Sequence, residues 1–247
     1  MITRRSILAS GLVLLCMRAG AAEPARSIPK PALDETPGAS SPAIAVLAGG
    51  CFWGVQAVYQ RTKGVLNAVS GYAGGEKSNA KYGVVSGGKT GHAEAVQITY
   101  DPKEISYGQI LRIFFSVVHD PTQLNRQGPD VGPQYRSSIF PVNDEQTRIA
   151  RAYLTQLEQA EAFEASVVTK IEQGKAFYPA EDYHQDYLVN NPRQPYILFH
   201  DMPKLDEMKR VFPALWREQP VLVKPPRRLG RLGQGSEAFY RGLPGKN

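Results

Sequence analysis

Two residues in this 247-residue chain have the type and setting to do chemistry: a cysteine in "GGCFWG" (Gly49 to Gly54) and a glutamate in "HAEAVQITY" (His92 to Tyr100). Glycines just before Cys51 allow a tight turn out of the apolar run Ile44 to Ala48, and put the thiol at the start of a helix predicted over Phe52 to Arg61. Orphan amides and the positive end of the helix dipole favour a thiolate there, so the thiol pKa is expected below the free value of about 8.5. Cys51 is then a poised nucleophile. The bland alternative is a small buried hydrophobe. Phe52 and Trp53 likewise either join the core or form a wall for an apolar group of a substrate.

In the second stretch, period two puts Glu94, Val96, Ile98 and Tyr100 on one side of a strand. A carboxyl on that apolar face is expected to stay protonated near neutral pH and so to donate a proton; the alternative is an edge glutamate that reaches solvent. A nucleophilic sulfur beside a neutral acid suits attack on an electrophile whose oxygen needs a proton, which describes a sulfoxide or a peroxide. Disulfide exchange fits less well, because a thiolate leaving group needs no acid. His92, His119, His184 and His200 lack metal-binding spacing, so no metal is assigned. "DYHQDY" could supply a Cys-His partner for Cys51, but no oxyanion motif accompanies it. No glycine-rich stretch matches a dinucleotide or phosphate loop.

The elements that must position these groups are legible. A strand at Ile44 to Ala48, a helix with Val55, Val58 and Tyr59 on one face and a strand at Val65 to Tyr72 make one β-α-β unit. "HAEAVQITY", a helix opened by a capping box of Ser106 and Gln109, and the strand "QYRSSIF" make a second. Asn143 caps a long helix carrying Ile149, Tyr153 and Leu157, and "SVVTKIEQ" reads as a further strand. The pattern predicts an α/β (α+β) two-layer sandwich with a ferredoxin-like β-α-β-β-α-β plait core and long C-terminal loops. Two connections, Gly74 to Gly91 and His119 to Gln134, are longer than the topology needs, as functional loops often are.

The ends read differently. Residues 1–22 combine arginines, a short apolar run and small residues, the layout of a signal peptide of the Sec or twin-arginine kind, "TRRSIL" favouring neither; the expected location is the periplasm, with no membrane attachment after cleavage. Cleavage removes Cys16 and leaves Cys51 as the only thiol. Residues 23–42 read as a disordered linker, 43–216 as the catalytic domain and 217–247 as a flexible basic tail. The formal charge of +6 sits at these ends, so it is no sign of nucleic-acid binding.

"GGCFWG", "GYAGG", "TGHAEAV", "YDP", "HDPTQ", "RQGPDVGPQYRS" and "FYPAEDYHQDYL", in that order, resemble the A-type peptide methionine sulfoxide reductases. The resemblance implies reduction of the S epimer of methionine sulfoxide, in proteins or as the free amino acid. It makes Cys51 the nucleophile, left as a sulfenic acid, and Glu94 the acid. It assigns Tyr82 and Tyr135 to the sulfoxide oxygen, Asp130 to a nearby carboxylate role, and Phe52 and Trp53 to the pocket for the substrate methyl group. Many relatives have a glutamate where this chain has Gln56, Asn and Thr where it has Pro129 and Pro133, and one or two resolving cysteines near the C-terminus where it has none. The expectation is therefore a monomer with no bound cofactor, acting on oxidised proteins or peptides and recycled by an external thiol: thioredoxin-like, glutaredoxin-like or small. Two rivals share the thiol, a peroxidase and a module that binds oxidised methionine without turnover.

Overall fold

The computed structural model describes residues 28–36 and 42–223. The signal reading of residues 1–22 lies outside the described residues, as does most of the tail. In chain order the elements are β1 (Ala43–Gly49), α1 (Phe52–Gln60), β2 (Val65–Ala73), α2 (Tyr82–Val85), β3 (Ala93–Tyr100), α3 (Tyr107–Ile113), β4 (Arg126–Gln127), β5 (Asp130–Val131), β6 (Ser137–Ile139), α4 (Asp144–Gln159), β7 (Lys170–Ile171), β8 (Phe177–Pro179), α5 (Tyr187–Asn190) and α6 (Met202–Val211).

The main sheet runs β7-β6-β1-β3-β2-β8. Its inner four strands pair antiparallel in the order β6-β1-β3-β2, which is the expected plait. β8 adds antiparallel to β2, while β7 lies parallel to β6 because the helix α4 carries the chain back across the sheet between them. Alternation decides which side chains meet the helices. Leu47, Val96, Ile98 and Tyr100 join Val55, Val58, Tyr59, Ile110, Leu111, Ile149 and Tyr153 in one large core. Val46, Ala48, Ala73, Ala93 and Ala95 form a thinner cluster on the reverse face with Phe140.

Both caps form: Ser106 Oγ accepts from the Gln109 amide at 3.1 Å and Asn143 Oδ1 from the Gln146 amide at 2.8 Å. Four stretches differ from the sequence reading. Only Ser137–Ile139 of "QYRSSIF" is strand, since Gly132 and Pro133 start a 3₁₀ turn over Pro133–Tyr135. Of "SVVTKIEQ", only Lys170–Ile171 pairs. Within the expected linker, residues 28–36 are docked on the domain: Ile28 is buried in the core, Tyr153 Oη donates to Pro29 O, and Asp34 and Glu35 accept the Gly108 and Tyr107 amides. These two carboxylates complement the amino end of α3, a pairing that composition alone hides. The first residues of the expected tail also return to the domain, where the Arg217 amide bonds Arg61 O and the Val223 amide bonds Asp186 Oδ1.

Candidate active site

Cys51 occupies the N-cap position of α1, and Gly50 makes the turn that brings it there at φ +93°. A Cβ on Gly50 would stand 2.7 Å from Gln127, so this glycine also admits the long loop that follows α3. That loop is anchored at its start by His119, whose Nδ1 meets Phe114 O at 3.1 Å and whose Nε2 meets Ser137 Oγ at 2.7 Å.

Glu94 points to the same place from the middle of the sheet, and is 2% exposed. Its Oε2 accepts the Phe52 amide at 3.0 Å, which ties the strand β3 to the first turn of α1 beside the sulfur. Burial pushes its pKa up to about 8, against the lowering effect of that amide, and Asp130 and Asp201 add to the rise. Glu94 is thus the neutral acid expected from its apolar face.

The expectation for the thiol is corrected. Cys51 is 8% exposed, and burial pushes its pKa well above the ordinary thiol value, with Glu94, Asp201 and Asp130 acting in the same direction. The Trp53 amide favours the thiolate, but the Phe52 amide is already taken by Glu94. A helix start lowers a thiol pKa only through the amides left free for it. The resting pair is therefore thiol and carboxylic acid, two protons on two groups.

Cys51, Phe52, Trp53, Tyr82, Glu94, Asp130 and Tyr135, all seven residues singled out from sequence, line one cavity of about 270 Å³. Trp53 is held by stacking on Tyr187, ring centroids 3.7 Å apart, and by a 3.1 Å bond from its Nε1 to His184 Nδ1. His184 therefore braces the aromatic wall, and the Cys-His pairing is not formed. Glu181 accepts the Tyr82 amide at 2.9 Å and the Tyr72 hydroxyl at 2.8 Å, placing Tyr82 over the pocket. Gln56 is buried; its amide nitrogen donates to Ala68 O and Gln185 Oε1 and its oxygen accepts the Asp186 amide, so the neutral side chain knits α1 to the 180s loop.

Three residues escaped sequence reasoning. Gln194 and Tyr196 complete the cavity, and the Tyr196 hydroxyl donates to Asp130 Oδ2. Asp201 is fully buried, paired with Lys204 at 3.1 Å, and burial holds its pKa above the usual carboxylate value. The tyrosine and proline density of "YPAEDYHQDYLVNNPRQPYILFHD" is the only signal in the sequence for any of them. Asp201 leans on Gly54, where an added Cβ would lie 2.1 Å from its Oδ1. Gly54→Ala is expected to lower the melting temperature by about 2–4 °C, because displacing a buried, ion-paired carboxylate outweighs the gain in helix propensity of about 1 kcal/mol. A thermal melt checks it; an unchanged or higher midpoint would show that Asp201 moves freely.

A buried thiol at a helix start, a neutral carboxylic acid across from it and an aromatic box between them define a thiol oxidoreductase site on a plait scaffold. Residues 43–215 match the family described as peptide methionine sulfoxide reductase. The chain is 59% identical over 179 residues to the peptide methionine sulfoxide reductase MsrA 2 of Mesorhizobium japonicum, covering 72% of this chain and 92% of that one. It is 49% identical over 168 residues to MsrA of Deinococcus radiodurans, covering 68% and 81%. Among solved structures, reduced Mxr1 from Saccharomyces cerevisiae superposes with a TM-score of 0.55 at 37% identity, over 62% of this chain and 87% of that one. Methionine sulfoxide reductase A of Corynebacterium diphtheriae gives 0.53 at 30% identity, over 71% and 88%. The chain belongs to the peptide methionine sulfoxide reductase family, A type, and is an oxidoreductase of that class.

Proposed function

We propose that the chain repairs oxidised methionine by reducing the S epimer of methionine sulfoxide, in proteins and as the free amino acid, through a sulfenic acid on Cys51. The observation that carries this reading is the shared cavity, where the thiol and a protonated Glu94 face one small space walled by Phe52 and Trp53. The sulfoxide oxygen carries negative charge and its sulfur positive charge. Glu94 gives its proton to that oxygen, supported by the Tyr82 and Tyr135 hydroxyls, and the sulfur becomes a stronger electrophile as it does so. Attack by Cys51 releases the thiol proton, which restores Glu94; the oxygen passes to Cys51 and methionine leaves. Atoms balance as thiol plus sulfoxide giving sulfenic acid plus thioether. The high thiol pKa of the resting site is overcome when the bound sulfur becomes positive beside it.

With Cys16 in the proposed signal, the chain keeps no second cysteine to resolve the sulfenic acid, so an external thiol completes the cycle. The basic, apolar N-terminus supports export to the periplasm, where the protein would act as a monomer. The test is a burst without reductant on each resolved epimer. One equivalent of methionine per Cys51 is expected from the S form and none from the R form, with oxidised Cys51 by mass spectrometry. Sustained turnover without added thiol would sink the one-cysteine cycle, and consumption of hydroperoxide with the sulfoxide untouched would favour a peroxidase.

A further inference from the structure

Cys51 lines two cavities. The smaller holds Glu94, Tyr82 and Tyr135; the larger, of about 960 Å³, is bounded by other residues, among them His119, Gln123, Arg126 and Lys204. Asp130 and Tyr196 line both, and the hydrogen bond between them stands as a partition beside the sulfur. The small cavity accounts for an oxidised thioether. Nothing yet accounts for the large one.

We propose that the larger cavity is the docking site of the reducing thiol, and that its occupant is a low-molecular-mass thiol of peptide size. This rests on the sulfenic acid reading above. Displacement at a two-coordinate sulfur is in line: the incoming thiolate must approach opposite the departing oxygen. That oxygen arrives from the sulfoxide and therefore lies on the Glu94 side. The reductant must then reach Cys51 from elsewhere, and Cys51 is a buried residue, 8% exposed, so it needs a channel. The larger cavity is that channel. Its volume falls in the range of about 300–1,000 Å³ that takes small ligands. Its wall carries charges of both signs: the exposed Arg126, Lys204 paired with Asp201, Glu207 paired with Arg210, and Asp120, whose carboxylate accepts from Thr122 and Gln123; a zwitterionic peptide thiol would meet both signs there. Lys204 is held there by the buried Asp201. Ser116 Oγ, buried in a residue of the same wall, has no hydrogen-bond partner.

The step balances. The first thiol gives up its proton, its thiolate bonds to Cys51 Sγ, the S–O bond breaks, and hydroxide takes the Glu94 proton and leaves as water, the proton of the first thiol restoring Glu94. A second thiol then attacks the mixed disulfide, releasing the oxidised dimer and the reduced Cys51. Two thiols lose the two electrons that the sulfenic acid gains.

The test separates the half-reactions in the full-length protein. Ala165, exposed on the cavity wall, is changed to Trp to fill the space, and the exposed Arg126 to Glu to change its charge. The probes are free methionine S-sulfoxide, an oxidised peptide and, as reductants, glutathione, 3-mercaptopropionate and cysteamine. In Ala165→Trp the methionine burst from both sulfoxides is expected to hold while reduction of the sulfenic acid by glutathione slows roughly tenfold or more, as loss of a productive docking mode does. In Arg126→Glu the preference between anionic and cationic thiols should shift toward cysteamine by about threefold or more. Normal bursts with unchanged reduction in both variants would overturn the proposal. A burst that falls for the peptide alone, with reduction intact, would assign the cavity to the substrate chain and overturn it as well. Absence of a burst in the wild type would instead refute the reductase reading itself.

Discussion

Cys51→Ser is expected to abolish methionine release, by at least about four orders of magnitude, because a hydroxyl is a far weaker nucleophile toward sulfur and the cycle has no other acceptor for the oxygen. The fold should not notice. Cys51 is 8% exposed and makes no side-chain capping bond to α1, so serine fits the same N-cap position. Glu94 should also titrate as before, near 8, since its pKa is raised by burial and by Asp130 and Asp201, and a neutral thiol adds no charge to it. The measurement is the burst on methionine S-sulfoxide, beside the carboxyl titration followed spectroscopically. Residual turnover above the uncatalysed rate would mean that oxygen leaves by a path without the sulfur. A large shift of the Glu94 titration would mean that Cys51 is ionised at rest, contrary to the geometry.

The plait was legible because its signals are local: an apolar run at β1, period two on β3, a capping box at α3, an Asn cap at α4. Glu94 was legible for the same reason, since alternation alone puts it on the helix face. The site's remaining parts come from three distant stretches that only the fold brings together. Tyr82 sits on a one-turn helix held by Glu181, Tyr135 closes a 3₁₀ turn, and Tyr196 returns from the C-terminal segment to bond Asp130. No spacing rule joins positions so far apart, and for Tyr82, Tyr135 and Asp130 the family resemblance did what periodicity could not. The thiol pKa shows the opposite limit. A helix start was correctly read, yet the sign of the shift depended on which group received the Phe52 amide and on how little water reaches the sulfur. Both are tertiary facts. The docked segment 28–36 is a third kind of miss: its composition is that of a linker, but Asp34 and Glu35 find the amino end of α3, and Ile28 finds the core.

Glu94→Gln separates proton donation from placement. The amide still offers an oxygen to the Phe52 N–H and fills the same volume, so the pocket should keep its shape. What it cannot do is protonate the sulfoxide oxygen, and the expected loss in the burst rate is about 10²–10⁴-fold, the usual range for a general acid. The pH profile gives the sign. Wild-type activity needs the protonated carboxyl, so the rate should fall as pH rises through about 8, and this alkaline limb should vanish in the variant. Stability carries an independent mark of the same group. An unfolded glutamate ionises near 4.5, while the buried one keeps its proton up to about 8. Between those values the folded state binds the extra proton, so wild-type stability should decline with rising pH across that window and level off above it. The glutamine variant has no such proton to lose. Its stability advantage over the wild type should therefore widen from pH 5 to pH 8 in paired denaturation curves. A rate unaffected by the substitution would remove Glu94 from the chemistry. A constant stability gap would show that its carboxyl is already charged in the fold, and the neutral-acid mechanism would fail with it.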